Sequence, residues 1–330
     1  MRRRSAMFQR MKRRAFLASA LALPALPGLA QTDPFAAFAE RYDQFRSIMV
    51  QRGDDSLVAE TFSGPGLDAI ANIKSCSKSL VALLLGCAID RGEVALEDTL
   101  AEVAPGLVPA DAAPEVAEIS LGDLASLRAG LERTSGPNYG SWVASSNWVR
   151  DALSRPMVAE PGGPMLYSTG STHVLGAALA EATGQSLLAQ ARTRIGKPLG
   201  IDVPAWTRDP QGYYMGGNQM GLTPRGMLRV AVMMRDGGRF AGQQVVSKDW
   251  VTRSTQPLTR SPYSGLSYGY GWFLSASGWV LARGYGGQII ASHAERDLAV
   301  AITSDPNRPA RSGGYFGALM SLLDGPILRI

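Results

Sequence analysis

The run from Ser79 to Ile89 carries Leu80, Val81, Ala82, Leu83, Leu84 and Leu85 in succession and ends at Arg91-Gly92. A helix through it is apolar on every side, so it must be wrapped on every side. It falls short of the ~20 residues that span a bilayer, which leaves the centre of a globular domain as its place. A chain of 330 residues with 45% apolar and 18% charged residues can do the wrapping, as one large domain or two interleaved ones. That composition excludes a disordered or solvating chain. Two Cys and two His exclude a Cys-rich zinc module and a disulfide framework.

Other elements can be placed around this helix. Ser47-Ile48-Met49-Val50 and Ser56-Leu57-Val58-Ala59-Glu60 flank Gly53-Asp54-Asp55 and read as a hairpin, followed by a turn region from Thr61 to Asp68. Leu121 to Leu131, His173 to Thr183, Leu187 to Ile195 and Thr223 to Asp236 are helix candidates, punctuated by Gly184, Pro198 and Gly237-Gly238. From Tyr268 the pattern turns to strands: Tyr268 to Leu274, Trp279 to Arg283, Gln288 to His293 and Leu298 to Thr303. The short gaps between them imply antiparallel pairing, and Tyr315 to Leu323 reads as a closing helix. An early hairpin and a late meander can share one sheet, with a helical middle inserted between them. The expected class is α+β, with the sheet region at about 31–92 and 260–330 and the helical region at about 93–259.

The chain carries 33 Lys and Arg against 28 Asp and Glu, a formal charge of +5. Arg2, Arg3, Arg4, Arg10, Lys12, Arg13 and Arg14 all precede residue 31, where no acid occurs, so the remainder holds 26 basic against 28 acidic residues, or −2. An apolar stretch from Ala15 to Leu29 follows the basic block, with small residues at Gly28 and Ala30. That is the layout of an export signal over residues 1–30 with cleavage after Ala30, leaving a domain of residues 31–330 in the periplasm or secreted. Lys12-Arg13-Arg14-Ala15-Phe16-Leu17 resembles a twin-arginine signal, with an ordinary secretory signal as the alternative and Met11 as a second possible start. No later segment reaches spanning length. Without a basic patch in the mature chain, nucleic acid is not an expected partner.

Ser75-Cys76-Ser77-Lys78 opens the apolar helix. Lysines are scarce here (Lys12, Lys74, Lys78, Lys197 and Lys248), so one at a buried helix start is notable. The spacing puts Ser75 and Lys78 on one face, a turn apart. A desolvated Lys has a lowered pKa and can accept the proton of a serine nucleophile, while the helix N-terminus favours a developing anion. Tyr167-Ser168-Thr169-Gly170 follows Pro161-Gly162-Gly163-Pro164 and precedes a helix. A Tyr there can serve as base or proton relay if a nearby cation lowers its pKa. Arg283-Gly284-Tyr285-Gly286-Gly287-Gln288 ends a strand. Its glycines allow a ligand along the strand edge, and a backbone N–H there can complete an oxyanion hole.

These three elements, in this order, resemble the serine β-lactamase and penicillin-recognising family: S-x-x-K, Y-x-N and K-T-G. Ser47 to Glu60, Ser75 to Gly92, Leu124 to Leu131, Pro161 to Gly184 and Trp206 to Trp250 are similar to segments of its class C-like branch, nearest to the nylon-oligomer (aminohexanoate-dimer) hydrolase and related esterases. Asp209-Pro210-Gln211-Gly212, Gly216-Gly217-Asn218 and Leu222-Thr223-Pro224-Arg225 resemble that subgroup in particular. The resemblance implies a β-lactamase/transpeptidase-like fold, an antiparallel sheet flanked by helices with a mainly helical inserted subdomain. It implies a serine hydrolase forming an acyl-enzyme on Ser75, with Lys78 as proton partner, Tyr167 as second acid or base, and the backbone N–H groups of Ser75 and Tyr285 as oxyanion hole. Thr169, Arg283, Gly284 and Gly286 would contact substrate, and no metal or organic cofactor is needed. Thr169 stands where the family often has Asn, and Ala282 where it has the Lys of K-T-G. Those departures favour a small amide, ester or short peptide over a β-lactam. A β-lactamase and a non-catalytic cell-wall peptide binder are the alternatives, as a monomer or weak homo-oligomer.

Gly265-Leu266-Ser267-Tyr268-Gly269 matches a nucleophile elbow, but no acid lies between Ser267 and His293, the one His after it. His173 and His293 are too far apart for a local metal site, His173 being expected at a helix packing contact and His293 near a strand end. Gly64-Pro65-Gly66-Leu67-Asp68-Ala69 mimics a dinucleotide fingerprint without the βαβ frame. Cys76 and Cys87, about 16 Å apart along one helix, are beyond the ~7 Å reach of a bridge and are expected as buried free thiols. Tyr139, Trp142, Tyr213, Tyr214 and Tyr285 are candidates to line an aromatic site.

Overall fold

The computed structural model describes residues 33–330; the export signal read in residues 1–30, and its cleavage point, lie outside the described residues. β1 (Phe45–Arg52) and β2 (Asp55–Thr61) form the expected hairpin with a tighter turn, because Asp55 already pairs with Arg52. Gly53 takes φ 52° there, the left-handed conformation that so short a turn requires. β3 (Ala71–Asn72) pairs with β4 (Gly221–Leu222), and β5 (Arg239–Phe240) with β6 (Gln243–Gln244), as two small ladders. β7 (Thr259–Arg260), β8 (Ser267–Tyr268), β9 (Phe273–Leu274), β10 (Val280–Gly284), β11 (Gln288–His293) and β12 (Leu298–Ser304) complete the main sheet. Its order is β2-β1-β12-β11-β10-β9-β8-β7, antiparallel throughout.

β12 lies between β1 and β11, with Ile302 opposite both Ile48 and Ile289. Every residue of β12 is buried, which is why Leu298 to Ile302 read as an unbroken apolar run rather than an alternating one. Alternation reappears in what each face touches. Ile48, Val50, Leu281, Ile289, Ala291, Val300 and Ile302 pack with Phe35 of the helix Pro34–Arg41 and with Phe316, Leu319 and Leu322 of the helix Tyr315–Leu322. Met49, Ala282, Ile290, Ala299 and Ala301 belong to the other core, with the apolar helix and the helix Pro224–Arg235. The result is helix, sheet, helix, the layering expected of the α+β reading.

The apolar helix runs Ser77–Ile89, and every residue from Ser77 to Ala88 is buried. Each large apolar side chain buried here contributes roughly 1.5–3 kcal/mol. At Gly86 an added Cβ would meet the Trp250 ring at 2.2 Å, so the indole lies directly on the helix backbone.

Several expected boundaries shift for local reasons. Leu121 to Leu131 is helical only over Leu121–Ala125, because Leu127 (φ 60°) and Gly130 (φ 78°) take left-handed conformations. The helix expected from His173 starts at Thr169 (Thr169–Thr183), capped by Ser168. Tyr268 to Leu274 is not one strand but β8 and β9, with a loop whose Gly271 carbonyl accepts the Ser79 hydroxyl at 2.6 Å. Gly271 (φ 82°) sits so close that a Cβ would lie 2.4 Å from Ala82. Cys76 and Cys87 are buried free thiols. Among the described residues no helix is long and apolar enough to cross a membrane.

Candidate active site

Ser75 sits in the 3₁₀ turn Lys74–Cys76 that leads straight into the buried helix. The turn is held from three sides. The Lys74 N–H donates to Asn72 Oδ1 at 2.9 Å, the Ser77 hydroxyl donates to the Lys74 carbonyl at 2.6 Å, and the Ile73 N–H donates to the Met220 carbonyl at 3.0 Å. Asn72 in turn donates to Gln219. Lys74 itself takes φ 51°, a left-handed conformation that costs a non-glycine residue about 1–2 kcal/mol and is tolerated where surroundings over-determine it.

β10 presses on the same turn. A Cβ on Gly284 would lie 2.3 Å from the Ile73 carbonyl oxygen and 3.1 Å from Lys74 Cβ. Only glycine permits that approach, and it sets Tyr285 beside Ser75 in one pocket of about 210 Å³. Ser75, Tyr167, Ser261, Tyr263, Phe273, Arg283, Gly284, Tyr285 and Ala310 line it. A larger groove of about 820 Å³ runs beside Phe38, Tyr42 and Tyr315, but no Lys, His or carboxylate lines it.

Lys78 is buried one turn below Ser75. Its ammonium nitrogen lies 3.2 Å from Ser75 Oγ, 3.1 Å from Thr169 Oγ1 and 2.8 Å from the Gly217 carbonyl. All three partners are neutral, so desolvation outweighs the small opposing influence of Cys76, and burial pulls its pKa from 10.5 down to about 7. The free amine is therefore accessible to Lys78 near neutral pH. The Tyr167 ring lies 4.9 Å from Lys78 Nζ and 6.4 Å from the stacked Phe273 ring, and its hydroxyl shares a hydrogen bond with Ser75. The condition set for a basic Tyr167, a pKa lowered by a nearby cation, is not met. Burial raises it above 10, outweighing the Ser75 hydrogen bond and the charge of Arg283. Tyr167 is a protonated phenol, and Lys78 is the group poised to take a proton.

Thr169 stands behind Lys78, hydrogen-bonded to Ser135 Oγ at 3.0 Å, and does not line the pocket. Gly286 packs against the Asp305 carbonyl, while Arg283 and Gly284 form pocket wall. Of the aromatic candidates, Tyr285 alone lines the pocket. Trp142 is buried with Trp148 and Met215, Tyr213 bonds Glu181, and Tyr214 packs on Trp206.

The Gly217 carbonyl is positioned by a second buried unit. His173 Nε2 lies 3.0 Å from Asp209 Oδ2, and His173 Nδ1 accepts the Gly216 N–H at 3.4 Å. Asp209 Oδ1 accepts the N–H groups of Gln211 at 3.0 Å and Tyr213 at 2.8 Å. Both side chains are fully buried, and Trp142 and Trp148 meet the imidazole edge-on.

The Beta-lactamase family model matches residues 39–319. Among solved structures, the chain is similar to a Bacillus anthracis protein assigned as a 6-aminohexanoate-dimer hydrolase, at 16% identity and TM-score 0.76, covering 90% of this chain and 82% of that one. It is also similar to EstCE1, a hydrolase with promiscuous acyltransferase activity, at 18% identity and TM-score 0.74, covering 88% and 96%. A family VIII carboxylesterase matches at 15% identity and TM-score 0.66, covering 86% and 92%. No curated protein matches significantly.

Proposed function

Since the chain belongs to the Beta-lactamase family, we propose that it is a serine hydrolase cleaving a small amide, ester or short peptide through an acyl-enzyme on Ser75. The observation that carries this reading is Lys78 Nζ at 3.2 Å from Ser75 Oγ, with its pKa brought to about 7. A free amine at that distance takes the hydroxyl proton as Oγ attacks the substrate carbonyl. The backbone N–H groups of Ser75 and Tyr285 receive the tetrahedral oxyanion. The proton then passes from the Lys78 ammonium by way of the Tyr167 phenol to the leaving amine or alcohol, leaving Lys78 neutral and Ser75 acylated. Water enters, gives its proton along the same route in reverse, and releases the acid.

The amidase and esterase names among the structural relatives agree with this reading. So does Ala282, which is buried against the inner core and supplies no cation where the family has Lys. The export signal read in residues 1–30 adds a periplasmic or secreted location to the proposal.

The test is a panel of chromogenic esters, amides and one cephalosporin on protein beginning at Gln31, with Ser75→Ala as control. Ester or amide turnover lost in Ser75→Ala, with a fluorophosphonate mass adduct on Ser75, is the expected result. Unchanged turnover in Ser75→Ala sinks it. A β-lactamase would turn over the cephalosporin fastest, and a peptide binder would hold a labelled penicillin without turnover of any ester.

A further inference from the structure

Two walls of the Ser75 pocket come from distant parts of the chain. Tyr167 belongs to the segment before the helix Thr169–Thr183, and Tyr263 to the tip of the β7–β8 hairpin at the edge of the sheet. Each wall is braced by its own bonds. In the hairpin tip the Ser261 N–H donates to the Leu266 carbonyl at 2.9 Å, the Gly265 N–H to the Ser261 carbonyl at 2.9 Å, and Arg260 Nε to the Gly265 carbonyl at 2.8 Å. On the other side, residues 133–135 are laced to the residues that follow Tyr167. The Thr134 N–H donates to Ser168 Oγ at 3.1 Å, the Thr169 N–H to Ser135 Oγ at 2.9 Å, and the Gly170 N–H to Thr134 Oγ1 at 2.7 Å.

Arg133 joins the two walls. Its guanidinium donates to the Tyr263 hydroxyl, and its central carbon lies 5.1 Å from the centre of the same ring. Arg150 and Arg155, of the same helical region, each meet carboxylates, whereas Arg133 forms no ion pair among the described residues. A guanidinium that engages both the face and the hydroxyl of one tyrosine fixes the direction of the ring as well as its place. Tyr263 is 54% exposed, so packing alone does not hold it at the pocket, and the contact with Arg133 supplies the anchor. The space bounded in this way is about 210 Å³, below the ~300–1,000 Å³ of typical ligand clefts.

We propose that the Arg133–Tyr263 contact is a strap across the pocket that sets the largest acyl group Ser75 can accept, so that short acyl chains enter and long ones do not. The proposal rests on the hydrolase reading for turnover, but not for binding. The competing role for the contact is to brace the hairpin tip, which would affect all substrates alike.

A pair of esters, 4-nitrophenyl butyrate and 4-nitrophenyl octanoate, separates these roles. In the unmodified protein, kcat/KM for the octanoate should lie at least about tenfold below that for the butyrate. In Tyr263→Ala the octanoate-to-butyrate ratio should rise at least about tenfold, and in Arg133→Met, which keeps the ring and removes its anchor, at least about threefold. A brace would lower both esters together and leave the ratio where it stands, which overturns the proposal. An unmodified protein that takes the octanoate as readily as the butyrate also overturns it. So does a ratio that moves in Tyr263→Ala and stays put in Arg133→Met, since the ring alone is then the barrier. Calorimetry with N-phenylbutyramide and N-phenyloctanamide on the Ser75→Ala protein reads the pocket without turnover. Tenfold weaker binding of the octanamide, relieved when Arg133→Met is added, supports the strap even if no ester is cleaved, the failure then belonging to the hydrolase reading. A binding ratio that Arg133→Met leaves unchanged sinks the strap even if both esters are cleaved.

Discussion

Replacing Lys78 by Met should abolish activity and stabilise the protein. Lys78 is 3% exposed and its partners are neutral. Its pKa displacement from 10.5 to about 7, at 1.36 kcal/mol per pH unit, corresponds to about 5 kcal/mol of unfavourable burial. Met has a similar length and no charge. The substitution leaves the Gly217 carbonyl without its donor, which costs about 1–3 kcal/mol. Near or below pH 7 the net gain is therefore about 2–4 kcal/mol. The sign with pH follows from proton binding. Between pH 7 and 10.5 the unfolded chain holds a proton on Lys78 that the folded chain does not. The stability of the unmodified protein therefore rises relative to Lys78→Met through that window, and the penalty is fully present below it. Urea unfolding of both proteins at pH 6 and pH 9 measures this. The advantage of Lys78→Met should shrink by roughly 3 kcal/mol between the two, while kcat/KM falls about 10²–10⁴-fold at pH 9 and by about tenfold less at pH 6, where most of Lys78 is already protonated. A stability difference that stays the same at pH 6 and pH 9 would refute the picture of a desolvated amine.

Other outcomes follow from the same geometry. With an ester substrate, kcat/KM should climb about tenfold per pH unit below pH 7 and level off above it as Lys78 loses its proton, with no fall before pH 10 because Tyr167 keeps its own; a flat profile from pH 5 to 8 would contradict Lys78 as the base. Gly284→Ala places a Cβ 2.3 Å from the Ile73 carbonyl and should cut kcat about 100-fold by shifting the Ser75 turn, with circular dichroism unchanged. Gly86→Ala inserts a Cβ into the Trp250 ring and should destabilise by about 1–3 kcal/mol, read by urea titration of Trp fluorescence, although Ala is the better helix former. Asp209→Ala removes the acceptor for His173, Gln211 and Tyr213 and should cost about 3 kcal/mol in unfolding and lower kcat, since the Gly217 carbonyl loses its fixed place beside Lys78.

Much of this is visible in the chain itself, for identifiable reasons. The apolar run from Leu80 to Leu85 can only be a wrapped helix, and a lysine at its start can only be desolvated. Those two facts locate Ser75 and Lys78 before any contact is known. The late strands are legible because their separators are short. What escapes the sequence is set by backbone. The Gly217 carbonyl that anchors Lys78 belongs to every residue type equally, and its one outward sign is the small pair Gly216-Gly217. Phe273, Tyr263 and Ser261 reach the pocket from hairpins whose tips cannot be placed from periodicity. Leu127 looks like any helical leucine, and only its left-handed backbone ends the helix after Ala125. Tyr167 is found by its motif, but the direction of its pKa is decided by surroundings from other parts of the chain.

The pairing of β1 with β12 has a consequence for how the molecule is made. Phe45 lies opposite Ser304, so the strand synthesised first finds β2 at once but its other neighbour only when almost the whole chain exists. Contacts this distant in sequence slow folding, because the loop between them must be closed before they repay it. Gly284, which presses the nucleophile turn into shape, sits on the same late-made part of the sheet. On the proposed function a nascent chain is therefore expected to be inactive, because Ser75 acquires its pocket only after β10 has joined the sheet.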